Sequence, residues 1–120
     1  MTVGITYPLF VFEKDAKSLR LIEDQDRVLY HLEAIDIEND EYVFWDSTGG
    51  GVNVTVVQKK VNVNPCAAVL PLRDALAAYA SANGLRELNV ADAPIEVWRR
   101  IQKEIDARPK KRSFLERLFR

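Results

Sequence analysis

The chain has 120 residues, 48% of them hydrophobic and 29% charged, with five Gly and five Pro. That suits one domain around one small core and excludes large two-domain enzyme folds, collagen-like, coiled-coil and disordered classes. The formal net charge of −1, from 17 bases and 18 acids, is a cancellation. Residues 28–58 hold six acids, Glu33, Asp36, Glu38, Asp40, Glu41 and Asp46, and no Lys or Arg, whereas residues 59–120 hold thirteen bases and seven acids. Two surfaces of opposite sign are therefore expected.

Along the chain, Leu9-Phe10-Val11-Phe12 is a continuous apolar run of strand length, and continuity points to a strand covered on both faces. A polar turn over Lys14–Ser18 and a second short strand over Leu19–Ile22 complete a hairpin. Asp24 or Asp26 can cap a helix running to about Glu33, with Val28, Leu29 and Leu32 as its buried stripe and Ile35 just beyond. Asp36 to Glu41 reads as an exposed acidic loop. Tyr42-Val43-Phe44-Trp45 is the next strand, followed by a glycine-rich turn from Asp46 to Gly51.

Val52 to Val63 reads as one long strand whose valines change parity midway: Val52, Val54 and Val56 share one face, Val57, Val61 and Val63 the other. A β-bulge near Val56-Val57 would let both sets face the core. After Asn64-Pro65 a helix starts at Pro71, carries Leu72, Leu76 and Tyr79 on one stripe and ends at Gly84. An extended link, Arg86–Val90, leads to a last helix opened by Asp92 and Pro94 and lined by Ile95, Trp98, Ile101 and Ile105. Glu96 with Arg100 and Glu104 with Arg108 have favourable i,i+4 spacing. Pro109 stops that helix, so residues 1–108 form the single domain and 109–120 a basic amphipathic C-terminal tail. Strands first and helices last, without βαβ alternation, predict an α+β fold: a small, mainly antiparallel sheet with helices packed on one face.

The single Cys66 and the single His31 rule out an internal disulfide and a one-chain zinc site, which fits a cytoplasmic protein with no metal and no cofactor. No apolar run approaches the roughly 18 residues of a membrane span, and no signal-peptide pattern opens the chain, so integral membrane association is not expected. Asp36, Glu38 and Asp40 alternate as calcium ligands do, but the central Gly and the twelfth-position Glu are missing. The triple glycine lacks a following Lys-Ser or Lys-Thr and leads into a strand, so it is a hairpin turn rather than a phosphate loop. His31 and Cys66 read more simply as structural residues than as base and nucleophile.

The tail combines Lys110, Lys111 and Arg112 with Phe114, Leu115, Leu118 and Phe119. Such an element docks on its own domain, on a second copy or on an acidic or anionic surface; nucleic acid is disfavoured by the acidic middle of the chain.

Two functional readings follow. The first is a non-enzymatic cytosolic protein-binding module whose acidic residues, Glu33, Asp36, Glu38, Asp40, Glu41 and Asp46, engage a basic protein; its concrete form is a bacterial immunity-type inhibitor of a nuclease-like toxin. The alternative is a small enzyme or ligand-binding domain, its pocket built from His31, acidic residues and the aromatics Tyr42, Phe44, Trp45 and Trp98.

Overall fold

The computed structural model describes residues 4–85 and 92–108. Five strands, β1 (Leu9–Glu13), β2 (Ser18–Ile22), β3 (Tyr42–Trp45), β4 (Gly51–Val57) and β5 (Lys60–Pro65), form one antiparallel sheet in the order β2-β1-β3-β4-β5. With them go four helices among the described residues, α1 (Val28–His31), α2 (Ala34–Glu38), α3 (Leu72–Ala82) and α4 (Pro94–Asp106). The architecture is the α+β domain expected from the sequence.

The run Leu9 to Phe12 explains why the sheet has two covered faces. Phe10 and Phe12 point to the side of α3 and α4, where they meet Leu19, Trp45, Leu76, Val97 and Ile101. Leu9 and Val11 point to the other side, against Ile22, Val28, Leu32, Ile37, Tyr42 and Phe44. The expectation of helices on one face holds for α3 and α4; the helical segment 25–38 covers part of the opposite face, because Val28, Leu32 and Ile37 bury themselves against Leu9 and Val11. Two indole hydrogen bonds tie the helical layer down: Trp98 Nε1 donates to the Leu19 carbonyl (2.9 Å) and Trp45 Nε1 to the Leu70 carbonyl (2.8 Å). Tyr79 OH donates to Gln102 Oε1 (2.8 Å) and links α3 to α4.

Four local expectations are corrected. The helix expected to run to Glu33 is a 3-10 turn (Gln25–Arg27) continuing into α1, and it stops because Leu32 turns extended (φ −132°, ψ 145°) as it enters the core. The chain then re-forms a helix, α2, inside the stretch read as a loop, because Ile37 finds burial against the sheet and outweighs the polar sequence around it. The single strand over residues 52–63 is a hairpin. Gln58 and Lys59, with φ of 49° and 65°, make a two-residue turn closed by Val57↔Lys60, so the change of valine parity is a reversal of chain direction and not a bulge. Finally, Glu96 pairs with Arg99 (3.7 Å), and Arg100 reaches back to Asp92 (2.6 Å) in place of Glu96.

Candidate functional site

The sequence explains a gap in the middle of the sheet. β3 and β4 pair only at Phe44↔Val52 and Trp45↔Gly51, although β3 continues to pair with β1 as far as Glu13↔Tyr42 and β4 with β5 as far as Val57↔Lys60. At Gly51 the segment Cys66–Ala68 crosses directly above the strand; a Cβ there would lie 2.7 Å from both Ala68 N and Cys66 O. The glycine, the following turn of chain and the Trp45 indole bond clamp β3 and β4 together at this end. At the other end α2 lies beside β4 and the two strands diverge.

The resulting cleft has a volume of about 650 Å³, a size typical of ligand pockets. Its walls are Tyr42, Val43 and Phe44 from β3, Val52 to Val56 from β4, Ile37 and Glu38 from α2, and the crossing segment from Cys66 to Leu70; Lys14 and Asp40 stand at its edge. Most of this lining is apolar. Tyr42 and Phe44 pack edge to face, with centroids 6.1 Å apart.

The acidic residues divide into two groups. Asp46 is buried and organises the Asp46–Gly51 turn: its carboxylate accepts from the amides of Thr48 (3.0 Å), Gly50 (3.0 Å) and Thr6 (3.3 Å) and from the Thr48 hydroxyl. Burial alone would raise its pKa, but these hydrogen bonds outweigh it and hold the carboxyl below the usual range. Of the expected partner-binding set, Asp46 is thus the residue whose carboxylate is engaged by a turn of its own chain. Asp40, in the left-handed region (φ 58°), closes α2 and pairs with Lys14 at 3.2 Å.

Glu33, Asp36, Glu38 and Glu41 remain. Among the described residues none of the four has an ion-pair partner. Arg20 is engaged by Glu13 (3.4 Å), and Arg27 by Glu23 and Asp24. Asp36 and Glu41 sit close enough for the Asp36 carboxylate to raise the Glu41 pKa, with partial burial and the charges of Asp15 and Glu13 adding to the shift. The Tyr42 phenol is raised too, first by burial and then by Asp36, toward whose carboxylate its hydroxyl points at 3.5 Å. Around the α2–β3 junction these four carboxylates therefore stand without ion-pair partners among the described residues.

The pocket expected around His31 is not assembled. His31 lies beside Glu23 (3.4 Å) on α1, outside the cleft lining; Trp45 is fully buried and Trp98 belongs to the α4 layer, so of that set the aromatics Tyr42 and Phe44 and the acids Glu38 and Asp40 reach the cleft. No group of three or more His, Cys, Asp and Glu among the described residues is arranged to hold a metal ion, and no described helix is long and apolar enough to cross a membrane. The tail residues Lys110, Lys111, Arg112, Phe114, Leu115, Leu118 and Phe119, and the link Arg86–Val90, lie outside the described residues.

Neither the cleft nor the exposure of two large side chains on the acidic segment, Tyr30 (86% exposed) and Ile35 (60% exposed), follows from the sequence pattern. In the sequence Ile35 stands just beyond an apolar stripe; in the fold it lies past the break at Leu32 and is exposed.

Fold and site together define a small antiparallel α+β domain with a split sheet and an acidic helical rim. Comparison of the chain with protein-family models, with curated proteins and with solved structures finds no match.

Proposed function

We propose that this chain is a non-enzymatic binding module that takes a basic protein partner on the face formed by Tyr30 to Glu41. The observation that carries the reading is composition in three dimensions. One short segment exposes Tyr30 and Ile35 and, among the described residues, leaves Glu33, Asp36, Glu38 and Glu41 without ion-pair partners. Exposed apolar side chains on the same short segment as unpaired carboxylates supply the two ingredients of an electrostatically steered interface. In its concrete form the partner is a basic, nuclease-like protein and this chain its cytoplasmic inhibitor.

The test is affinity purification with the full chain at low and high salt, with the product of the neighbouring gene as first candidate. The native chain is expected to retain a basic protein at low salt. The triple variant Glu33→Lys, Glu38→Lys, Glu41→Lys should associate with it about tenfold or more slowly, and Tyr30→Ala should speed its release. Unchanged retention by the triple variant at low salt would sink the reading.

A further inference from the structure

The split between β3 and β4 leaves backbone groups facing one another without a ladder, and their identity follows from the register. Asp46 N donates to the Gly50 carbonyl (2.9 Å), which makes Trp45↔Gly51 a non-hydrogen-bonded pair and Phe44↔Val52 a hydrogen-bonded one. Hydrogen bonding alternates along a strand, so the N–H and C=O of Tyr42 also point toward β4; consistently, Lys14 N donates to the Glu41 carbonyl on the β1 side (3.1 Å).

On β4 the same argument runs from the other edge. Cys66 N donates to the Gly51 carbonyl (2.9 Å), and Pro65, which has no N–H, stands opposite Val52. Asn53, Thr55 and Val57 therefore bond to β5, and Val54 and Val56 direct their N–H and C=O groups into the gap. Among the described residues the gap thus has Tyr42 on one side and Val54 and Val56 on the other without ladder partners, on strands of opposite direction, flanked by apolar side chains and by α2.

From this we infer that the cleft receives an extended polypeptide segment of the partner, which adds a strand between β3 and β4. The inference rests on the protein-binding reading above and names what the partner contributes. Two facing edges satisfy the backbone of one inserted strand on both sides, which no globular side chain or small apolar ligand does. The valines of β4 together with Phe44 and Ile37 select apolar residues at alternate positions. Glu38 and Glu41 beside the wide end favour lysine or arginine next to the inserted stretch.

The experiment uses the full chain and a synthetic probe, a peptide of alternating valine and threonine preceded by two lysines, with amide hydrogen exchange read residue by residue. In the free chain the Tyr42, Val54 and Val56 amides should exchange faster than those of Asn53 and Thr55. With peptide present at about ten times its dissociation constant, the three gap-facing amides should slow roughly tenfold. The same peptide N-methylated on alternate residues keeps its side chains and charges but cannot pair, and should give no protection. Val56→Pro removes one gap-facing N–H without touching a β4–β5 bond and should abolish protection at Tyr42.

Protection of the gap amides in the free chain, absence of protection at millimolar peptide, or equal binding of the N-methylated peptide would each overturn the strand insertion. The acidic-face reading fails separately. The triple lysine variant should weaken binding of the lysine-flanked peptide while leaving gap protection by an uncharged valine–threonine peptide intact. Equal affinity of native and triple-variant chains for the lysine-flanked peptide would remove the acidic face and leave the strand site standing.

Discussion

Gly51 is the residue on which the clamp at the closed end of the cleft depends, and Gly51→Ala tests it. Its backbone has no need of a left-handed conformation; what it needs is the space above it. An alanine Cβ would stand 2.7 Å from Ala68 N and Cys66 O and 2.8 Å from Ala68 Cα, all backbone atoms that cannot rotate away. Relief requires the Cys66–Leu70 segment to lift by several tenths of an ångström. That strains the Cys66 N bond to the Gly51 carbonyl (2.9 Å) and the Trp45 indole bond to the Leu70 carbonyl (2.8 Å). Overpacking of this kind costs about 1–3 kcal/mol, and a weakened bond to a buried indole adds about 1 kcal/mol or more. A total of about 2–4 kcal/mol corresponds to a Tm lowered by roughly 8–16 °C in a domain of this size. Urea and thermal unfolding measure it, with Gly50→Ala as the internal control, since a Cβ at Gly50 only touches Asp46 Oδ1 at 3.4 Å. If Gly51→Ala cost no more than Gly50→Ala, the crossing segment would be no clamp and the account of why the sheet splits would be wrong.

Three further outcomes are expected. Replacing Gln58-Lys59 by Asn-Gly, residues suited to the positive φ found at both positions, should stabilise the fold by about 0.5–1 kcal/mol in urea titration, and the β4–β5 register should be unchanged in the NMR spectrum. Asp46 has a folded pKa below its unfolded value, so its contribution is present above the unfolded carboxylate range and disappears as pH falls through the folded value; Asp46→Asn should lower stability at neutral pH and flatten that part of the acid limb. Glu41 has the opposite sign. Its folded pKa is raised, chiefly by Asp36, so it stabilises only below the unfolded value and opposes folding once ionised. Glu41→Gln should therefore gain stability at neutral pH, and the gain should vanish as the pH drops below the carboxylate range.

The parts of the fold readable from the sequence are those where one local signal decided the outcome. The run from Leu9 to Phe12, the aromatic strand Tyr42–Trp45 and the stripe Leu72, Leu76 and Tyr79 each have a single periodicity, and each forms the expected element. The hairpin at Gln58-Lys59 was unreadable because neither residue is a usual partner of a left-handed turn. The strands impose that turn through the pairs Val54↔Val63 and Val56↔Val61, so tertiary pairing overrode local preference. Segment 28–38 failed for a related reason. Helical spacing of Val28 and Leu32 is present, but the chain satisfies both by breaking the helix at Leu32 and starting another around Ile37.

The acidic stretch was legible as composition and illegible as geometry, and the distinction decides which of its residues count. Six carboxylates in a run without bases look equivalent in a sequence. In the fold Asp46 serves a turn and Asp40 meets Lys14, so a third of the set is engaged by local structure. The others gain from this subtraction. With Arg20 and Arg27 already engaged by Glu13, Glu23 and Asp24, no described cation forms an ion pair with Glu33, Asp36, Glu38 or Glu41, and the Glu41 pKa is raised chiefly by Asp36. A partner can supply the ion-pair contacts that these four carboxylates lack among the described residues, and the gap-facing backbone of Tyr42, Val54 and Val56 lies in the cleft that Glu38 lines. An extended segment with basic flanks answers both deficits at once, the unpaired backbone and the unpaired charge, which is why strand insertion and the acidic rim are better tested as one interface than as two.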